Sequence, residues 1–343
     1  MNGPRRQARI SVVMPVYNTL KYLDEAVASI LGQNRTDFEF VIYDDCSTDG
    51  SYERLEEWAR RDKRIKLFRG DLNLGPAASS NAVVRYATAP LIARMDSDDI
   101  AYPERLELQG AALAADPGTG IVASLSDVID SEGRLIRGPE IWRLARSNWF
   151  TPFPHGSMMF RRSLYDSIGG YRDRCEYWED LDFVLRASAV TKILVFPRAL
   201  YRYRQSHVGT RLASSEERVE KAMDLRYAAV DRIRQNRSYD DLLGAAPLSR
   251  EDRVDPRAFI SLGSLAIWAG KRPNMARFLR RARLGFNGPT AIAAIWLCWT
   301  RISPGSWRVL NNWLSSFRNA RVRKTFSANG PVEWRTPKPG GLE

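Results

Sequence analysis

Apolar residues along the first half of the chain fall into two alternating rhythms. Ile10 to Met14 is a short continuous apolar-rich run, which reads as a buried strand, and Tyr22 to Leu31 follows with Leu23, Ala26, Val27 and Ile30 on one helical face. The same pairing returns. Phe38 to Tyr43 is a second strand, followed by a helix beginning near Asp49, where Ser47 or Asp49 can cap the free amides. Ile65 to Phe68 is a third strand, Pro76 to Tyr86 a third helix and Leu91 to Arg94 a fourth strand. Alternation at this spacing predicts an α/β fold, a mostly parallel sheet with helices on both faces. Such sheets bind ligands beyond the carboxyl ends of their strands, so functional residues are expected in the strand-to-helix loops.

The pattern then changes. After a strand at Ile121 to Leu125, loops and short elements are expected until about Gly209, and beyond Ser214 the chain reads as helix, starting with Glu216 to Arg234. A loop near Gly244 to Pro256 precedes further helical stretches, and the Pro- and Gly-rich tail from Asn329 is expected to be disordered. The division predicted is an α/β catalytic domain over 1–210, a helical basic region over 211–328 and a tail over 329–343.

Composition is that of a globular protein, with 44% hydrophobic and 27% charged residues in 343. The net charge of +12 is unevenly placed: from Lys271 to Lys324 there are twelve Lys or Arg and no Asp or Glu, so this stretch accounts for all of it. It also carries Trp296, Trp299, Trp307 and Trp313. Basic residues mixed with Trp and Leu, without a full span, suit a segment lying on an anionic membrane surface. A helical domain that buries its Trp residues is the other reading. Nucleic acid is not expected as a partner, because no recognition motif accompanies the charge. The three scattered cysteines and the polar, basic start of the chain fit a cytoplasmic protein, peripheral on the inner face of the cell membrane.

Three loops hold the candidate chemistry. The first strand ends in Pro15-Val16-Tyr17-Asn18, with neither the Gly-x-Gly-x-x-Gly of a dinucleotide fold nor the Gly-Lys-Ser of a P-loop. The second runs into Asp44-Asp45-Cys46-Ser47-Thr48-Asp49-Gly50; Asp44 and Asp49 read as turn residues, whereas Asp45 can accept the N–H of a nucleobase. The fourth ends in Arg94-Met95-Asp96-Ser97-Asp98-Asp99, whose crowded carboxylates repel one another unless a cation is present. Oxygen ligands on a short loop suit Mg²⁺ or Mn²⁺, ions that also bind substrate phosphates.

Taken together, Ser11 to Asn18, Asp44 to Gly50 and Asp96 to Asp99 resemble the inverting family 2 glycosyltransferases of the GT-A fold, of the type that builds bacterial cell-surface polysaccharides. The resemblance continues through Asn73-Leu-Gly75, Ser80-Asn81, Pro103-Glu-Arg-Leu106, Gly169-Gly-Tyr171 and Glu179-Asp180, and covers roughly residues 8 to 210. It implies that Pro15, Tyr17, Asn73 and Asp96 line the nucleotide-sugar site and that Asp45 meets the uracil N–H. By the same resemblance Asp98 would hold the metal, Asp180 would be the catalytic base, and Arg204 and His207 would stand where a late metal or phosphate ligand is often found. Cys46 occupies a position where the family commonly has glycine or another small residue.

Alternatives stay open at several positions. His155 reads as an acceptor or pyrophosphate contact or as a structural hydrogen-bonding residue, and the Glu179-Asp180 pair as acceptor-site carboxylates or as a helix cap. The expected activity is transfer of a sugar from a UDP-sugar to an acceptor hydroxyl with inversion, assisted by Mn²⁺ or Mg²⁺, with a glycan or lipid-linked acceptor. A sugar nucleotidyltransferase would need a Gly-rich activating loop after the first strand. A non-catalytic polyanion- or membrane-binding protein would not need both Asp98 and Asp180.

Overall fold

The computed structural model describes residues 10–139, 153–175, 179–205 and 330–334. His207, the helical basic region 211–328 and the Trp cluster lie outside the described residues.

Among the described residues ten strands form one sheet, in the order β10 (Val332–Trp334), β9 (Lys192–Arg204), β6 (Thr119–Ile129), β8 (Met159–Arg161), β4 (Leu91–Arg94), β1 (Ile10–Val16), β2 (Phe38–Asp44) and β3 (Ile65–Arg69), with β5 (Ile100–Ala101) paired to β9 and β7 (Leu135–Arg137) to β6. The parallel half is β1 (Ile10–Val16), β2 (Phe38–Asp44), β3 (Ile65–Arg69) and β4 (Leu91–Arg94), in which β1 lies between β4 and β2. Helices α1 (Leu20–Leu31), α2 (Ser51–Arg61) and α3 (Pro76–Tyr86) connect these strands. Alternate residues feed two cores. Val13, Val41 and Ile92 pack on one face, whereas Val12, Met14, Phe40, Ile42 and Ala93 join Leu23, Ala26, Val27 and Ile30 of α1 on the other. Covering both faces makes these strands apolar at nearly every position, which is why they read as continuous runs.

The start of α2 is displaced slightly from its expected place. Gly50 occupies the N-cap with φ 93°, and Asp49 accepts the Ser51 amide at 3.0 Å, while Ser47 instead accepts the amide of Asn18 at 3.0 Å. Asp44 closes the turn by accepting the Ser47 amide at 3.0 Å.

The second half is more regular than its sequence suggests. The strand expected at Ile121 to Leu125 extends over β6 (Thr119–Ile129), and β9 (Lys192–Arg204) runs parallel to it, where only loops and short elements were expected. On the other side of β6, β8 (Met159–Arg161) lies between β6 and β4 and runs antiparallel to both. Short β5 (Ile100–Ala101) and β7 (Leu135–Arg137), with α4 (Arg105–Ala115), α5 (Arg162–Ser167) and α6 (Glu179–Ser188), complete this half. The expected disordered tail is corrected in part: β10 (Val332–Trp334) pairs antiparallel with Val195 to Ile193 of β9. Among the described residues no helix is long and apolar enough to cross a membrane.

Candidate active site

The carboxyl ends of β1, β2 and β4 bring three of the predicted loops to one edge of the sheet. Pro15 and Tyr17 are half-buried where β1 ends, and Asn18 turns the chain in the left-handed region at φ 52°. Its side-chain oxygen accepts the Thr48 amide at 2.8 Å, fastening the first loop to the second. Cys46 also lies in the left-handed region, at φ 63°. That conformation explains why glycine suits the position.

Asp45 is buried and does more than face a ligand. Its two carboxylate oxygens accept the amides of Leu74 at 2.8 Å and Gly75 at 3.0 Å, so it builds the loop that carries Asn73. A nucleobase N–H would share one of these oxygens, each of which has a second lone pair. Asn73 is exposed, and its side-chain oxygen also accepts the Gly75 amide at 3.0 Å.

The acidic loop after β4 is held from several directions. Arg94 pairs with Asp96 at 3.0 Å. The Asp96 amide donates to the Tyr201 hydroxyl at 3.1 Å. Asp98 is half-buried, and burial together with the charge of Asp96 pushes its carboxyl up to about 6. Asp99 is buried and raised well above the usual carboxylate range by burial and by Asp98 and Asp96, although the Arg204 amide donates to it at 2.6 Å.

Arg204 departs from its expected role as a phosphate contact. Its side chain is 1% exposed and committed to the protein. Nε donates to the Asp98 carbonyl at 2.7 Å, Nη1 to the carbonyls of Asp130 and Ser131 at 3.1 and 3.2 Å, and Nη2 to the Glu25 carboxylate. A guanidinium so engaged would have to give up buried bonds to reach a phosphate, and that is costly.

Glu179 and Asp180 open α6, as expected. Asp180 is half-buried and accepts the amide of Leu181 at 2.7 Å. Glu179 is buried, and burial plus the neighbouring Asp180 charge push its carboxyl up to about 8. His155 shares a 2.8 Å hydrogen bond between Nε2 and the Tyr171 hydroxyl. Burial and the charge of Arg94 hold it down at about 4, so it is neutral near pH 7. The carboxylates of Asp96 and Asp180 both act on His155, and those of Asp96, Asp98, Asp99 and Asp180 all act on the Tyr203 hydroxyl. Loops far apart in sequence therefore meet in one electrostatic neighbourhood.

The sequence reading gave no role to four contributors: Arg94, Arg105, Gly156 and Tyr201. A Cβ at Gly156 would stand 2.0 Å from the Tyr201 hydroxyl oxygen and 2.7 Å from Asp96 Oδ2, so this glycine is what lets the two meet.

Comparison with known proteins gives the class to which this arrangement belongs. The model of Glycosyl transferase family 2 matches residues 11–172. EpsE of Bacillus subtilis (strain 168), which carries the name of a glycosyltransferase, is 37% identical over 195 residues, covering 54% of this chain and 67% of the relative. The chain belongs to glycosyl transferase family 2 and is a glycosyltransferase.

Solved structures share the fold. The mannosyltransferase PcManGT from Pyrobaculum calidifontis, in complex with GDP-Man and Mn²⁺, superposes with a TM-score of 0.54 at 20% identity, covering 93% of this chain and 87% of that one. S. aureus TarS superposes with a TM-score of 0.51 at 20% identity over 78% of this chain, which spans 44% of TarS. Its 1–349 portion in complex with UDP-GlcNAc gives 0.51 at 19% identity, covering 80% of this chain and 89% of that one.

Proposed function

We propose that this glycosyltransferase moves a sugar from a UDP-sugar to an acceptor hydroxyl with inversion at the anomeric carbon. The observation that carries this reading is the meeting of the Asp96–Asp99 loop with Asp180 of α6, both acting on Tyr203 and His155. A donor diphosphate belongs at the first and an acceptor hydroxyl at the second. The structural neighbours in complex with UDP-GlcNAc and with GDP-Man support a nucleotide diphosphate sugar as donor. The Asp45–Asn73 side of the site would take the base, with Pro15 and Tyr17 along it.

Asp180 would accept the proton of the acceptor hydroxyl as its oxygen attacks from the face opposite the leaving diphosphate. Among the described residues, the adjacent Leu181 amide is the one hydrogen-bond donor that engages its carboxylate. Glu179, held protonated by burial beside it, would limit the negative charge at the helix start. Neutral His155, fixed by Tyr171, would present a ring nitrogen rather than a cation to the acceptor side.

A divalent ion fits the acidic loop by its chemistry. Among the described residues no three His, Cys, Asp or Glu side chains converge as a ready-made cage. Mg²⁺ and Mn²⁺ sites on substrate phosphates need only one or two carboxylates. Burial and the neighbouring carboxylates raise Asp98 and Asp99, and a cation would favour their charged forms. Asp98, with Asp96, would hold the ion; when bound, it would neutralise charge developing on the leaving diphosphate. The Mn²⁺ complex of PcManGT supports this choice.

The acceptor we infer is a lipid-linked glycan met at the inner face of the cell membrane, on the strength of the basic, Trp-containing stretch from Lys271 to Lys324. Thermal-shift measurements with a panel of nucleotide sugars, with Mn²⁺ and with EDTA, test the donor reading. Stabilisation by UDP-sugars above other nucleotide sugars is the expected result, and no stabilisation by any of them would overturn it.

A further inference from the structure

We propose that the carboxyl end of β9 is the mount of the acidic loop, with Tyr201 and Arg204 as positioning residues that set the direction of the Asp96 and Asp98 carboxylates. The inference rests on the reading of that loop as the diphosphate and ion site. Three hydrogen bonds tie the loop to these two residues. The Tyr201 hydroxyl accepts the Asp96 amide at 3.1 Å; Arg204 gives its amide to Asp99 at 2.6 Å and its Nε to the Asp98 carbonyl at 2.7 Å.

The contacts are of a kind that orients without consuming the functional groups. Arg204 takes the carbonyl of Asp98 and leaves its carboxylate to a ligand. Tyr201 takes the amide of Asp96, whose carboxylate faces Arg94. Like charges on so short a loop would otherwise splay apart, so their direction has to be imposed by donors and acceptors outside it.

The mount is itself held rigidly. Tyr201 is fully buried, with the Arg105 guanidinium 5.2 Å from its ring centroid. Arg105, buried in turn, donates Nη2 to the carbonyls of Arg94 at 2.6 Å and Met158 at 3.2 Å, and its Nε to Gln109 at 3.1 Å. Gly156 leaves the space the hydroxyl needs. Arg204 is anchored at its far end by Glu25 of α1 and by the carbonyls of Asp130 and Ser131. Groups that orient ligands of an ion or phosphate in this way typically matter by about 10–100-fold in affinity.

The test uses the full chain and its Tyr201→Phe, Arg204→Lys and Asp98→Asn variants. Mn²⁺ binding in the presence of UDP is read from loss of the free Mn²⁺ paramagnetic resonance signal, UDP affinity by calorimetry with Mn²⁺ and with EDTA, and folding by thermal melts. Tyr201→Phe keeps the ring under Arg105, so it should fold and yet bind Mn²⁺ and UDP about tenfold or more weakly. Arg204→Lys should do the same, since an ammonium cannot reproduce the guanidinium fork. Folded variants with wild-type affinities would overturn the proposal, and if Arg204→Lys does not fold, Tyr201→Phe decides alone. Should Asp98→Asn keep its Mn²⁺ affinity, the ion reading fails separately. The mount is then judged on UDP affinity in EDTA, where an unchanged Tyr201→Phe overturns it.

Discussion

Glu179 and Asp180 are consecutive carboxylic acids at the start of α6, yet one is buried at 8% exposure and the other half-faces solvent. Burial and the Asp180 charge raise Glu179 to about 8. Below its ordinary pKa of 4.5 Glu179 is protonated in both folded and unfolded chains. As pH rises, the unfolded chain ionises first, so this residue's contribution to stability falls until its folded pKa near 8 is passed. Glu179→Gln should therefore gain on the wild type between these two values. Melting temperatures of both proteins across that window check it, and parallel curves would contradict the burial argument.

Asp180→Asn should bind donor nearly as the wild type does while losing transfer by about 10²–10⁴-fold, the usual worth of a general base. Donor affinity by calorimetry and transfer to a glycan acceptor give the two numbers. Transfer close to wild type would favour the helix-capping role, which the Leu181 amide bond already provides.

For the acidic loop, Asp98→Asn should abolish the strengthening of UDP binding by Mn²⁺ and leave the melting temperature near that of the wild type. Calorimetric titration with UDP in Mn²⁺ and in EDTA measures this. Equal UDP affinity of the wild type under both conditions would remove the ion from the proposed function.

Gly156→Ala should be disruptive out of proportion to one methyl group. The new Cβ would have to push back Tyr201 and Asp96, which lie 2.0 and 2.7 Å from its position. Overpacking of this kind costs about 1–3 kcal/mol, visible in a denaturant melt, and UDP affinity should fall with it. A variant as stable as the wild type would show that the Tyr201–Asp96 contact is not tight.

The stretch from Lys271 to Lys324 should carry the chain to anionic vesicles. Flotation at low salt should exceed that with neutral vesicles and weaken as salt rises, while the Trp side chains keep a residual affinity that salt does not screen. Failure to float with anionic lipid at low salt would remove the membrane from the proposed function.

Local rhythm determined much of this protein. β1 to β4 and α1 to α3 were legible because period-two and helical patterns are written by neighbouring residues, and the Asp96–Asp99 loop followed from where a parallel sheet places its ligands. α4 was hidden because its buried side holds Arg105, Gln109 and Gly110 beside Leu106 and Leu113, reversing the expected polarity. β9 was hidden for a related reason: Pro197, Arg198, Arg202 and Arg204 break up its apolar run. Side-chain roles depended on partners that no local pattern specifies. Arg204 is a structural clasp because Glu25, 179 positions earlier, and the Asp98 carbonyl reach it; Asp45 holds a loop because the Leu74 and Gly75 amides do. A sequence states which groups are present, but burial and long-range hydrogen bonds settle which of them are consumed by the fold and which remain for a ligand.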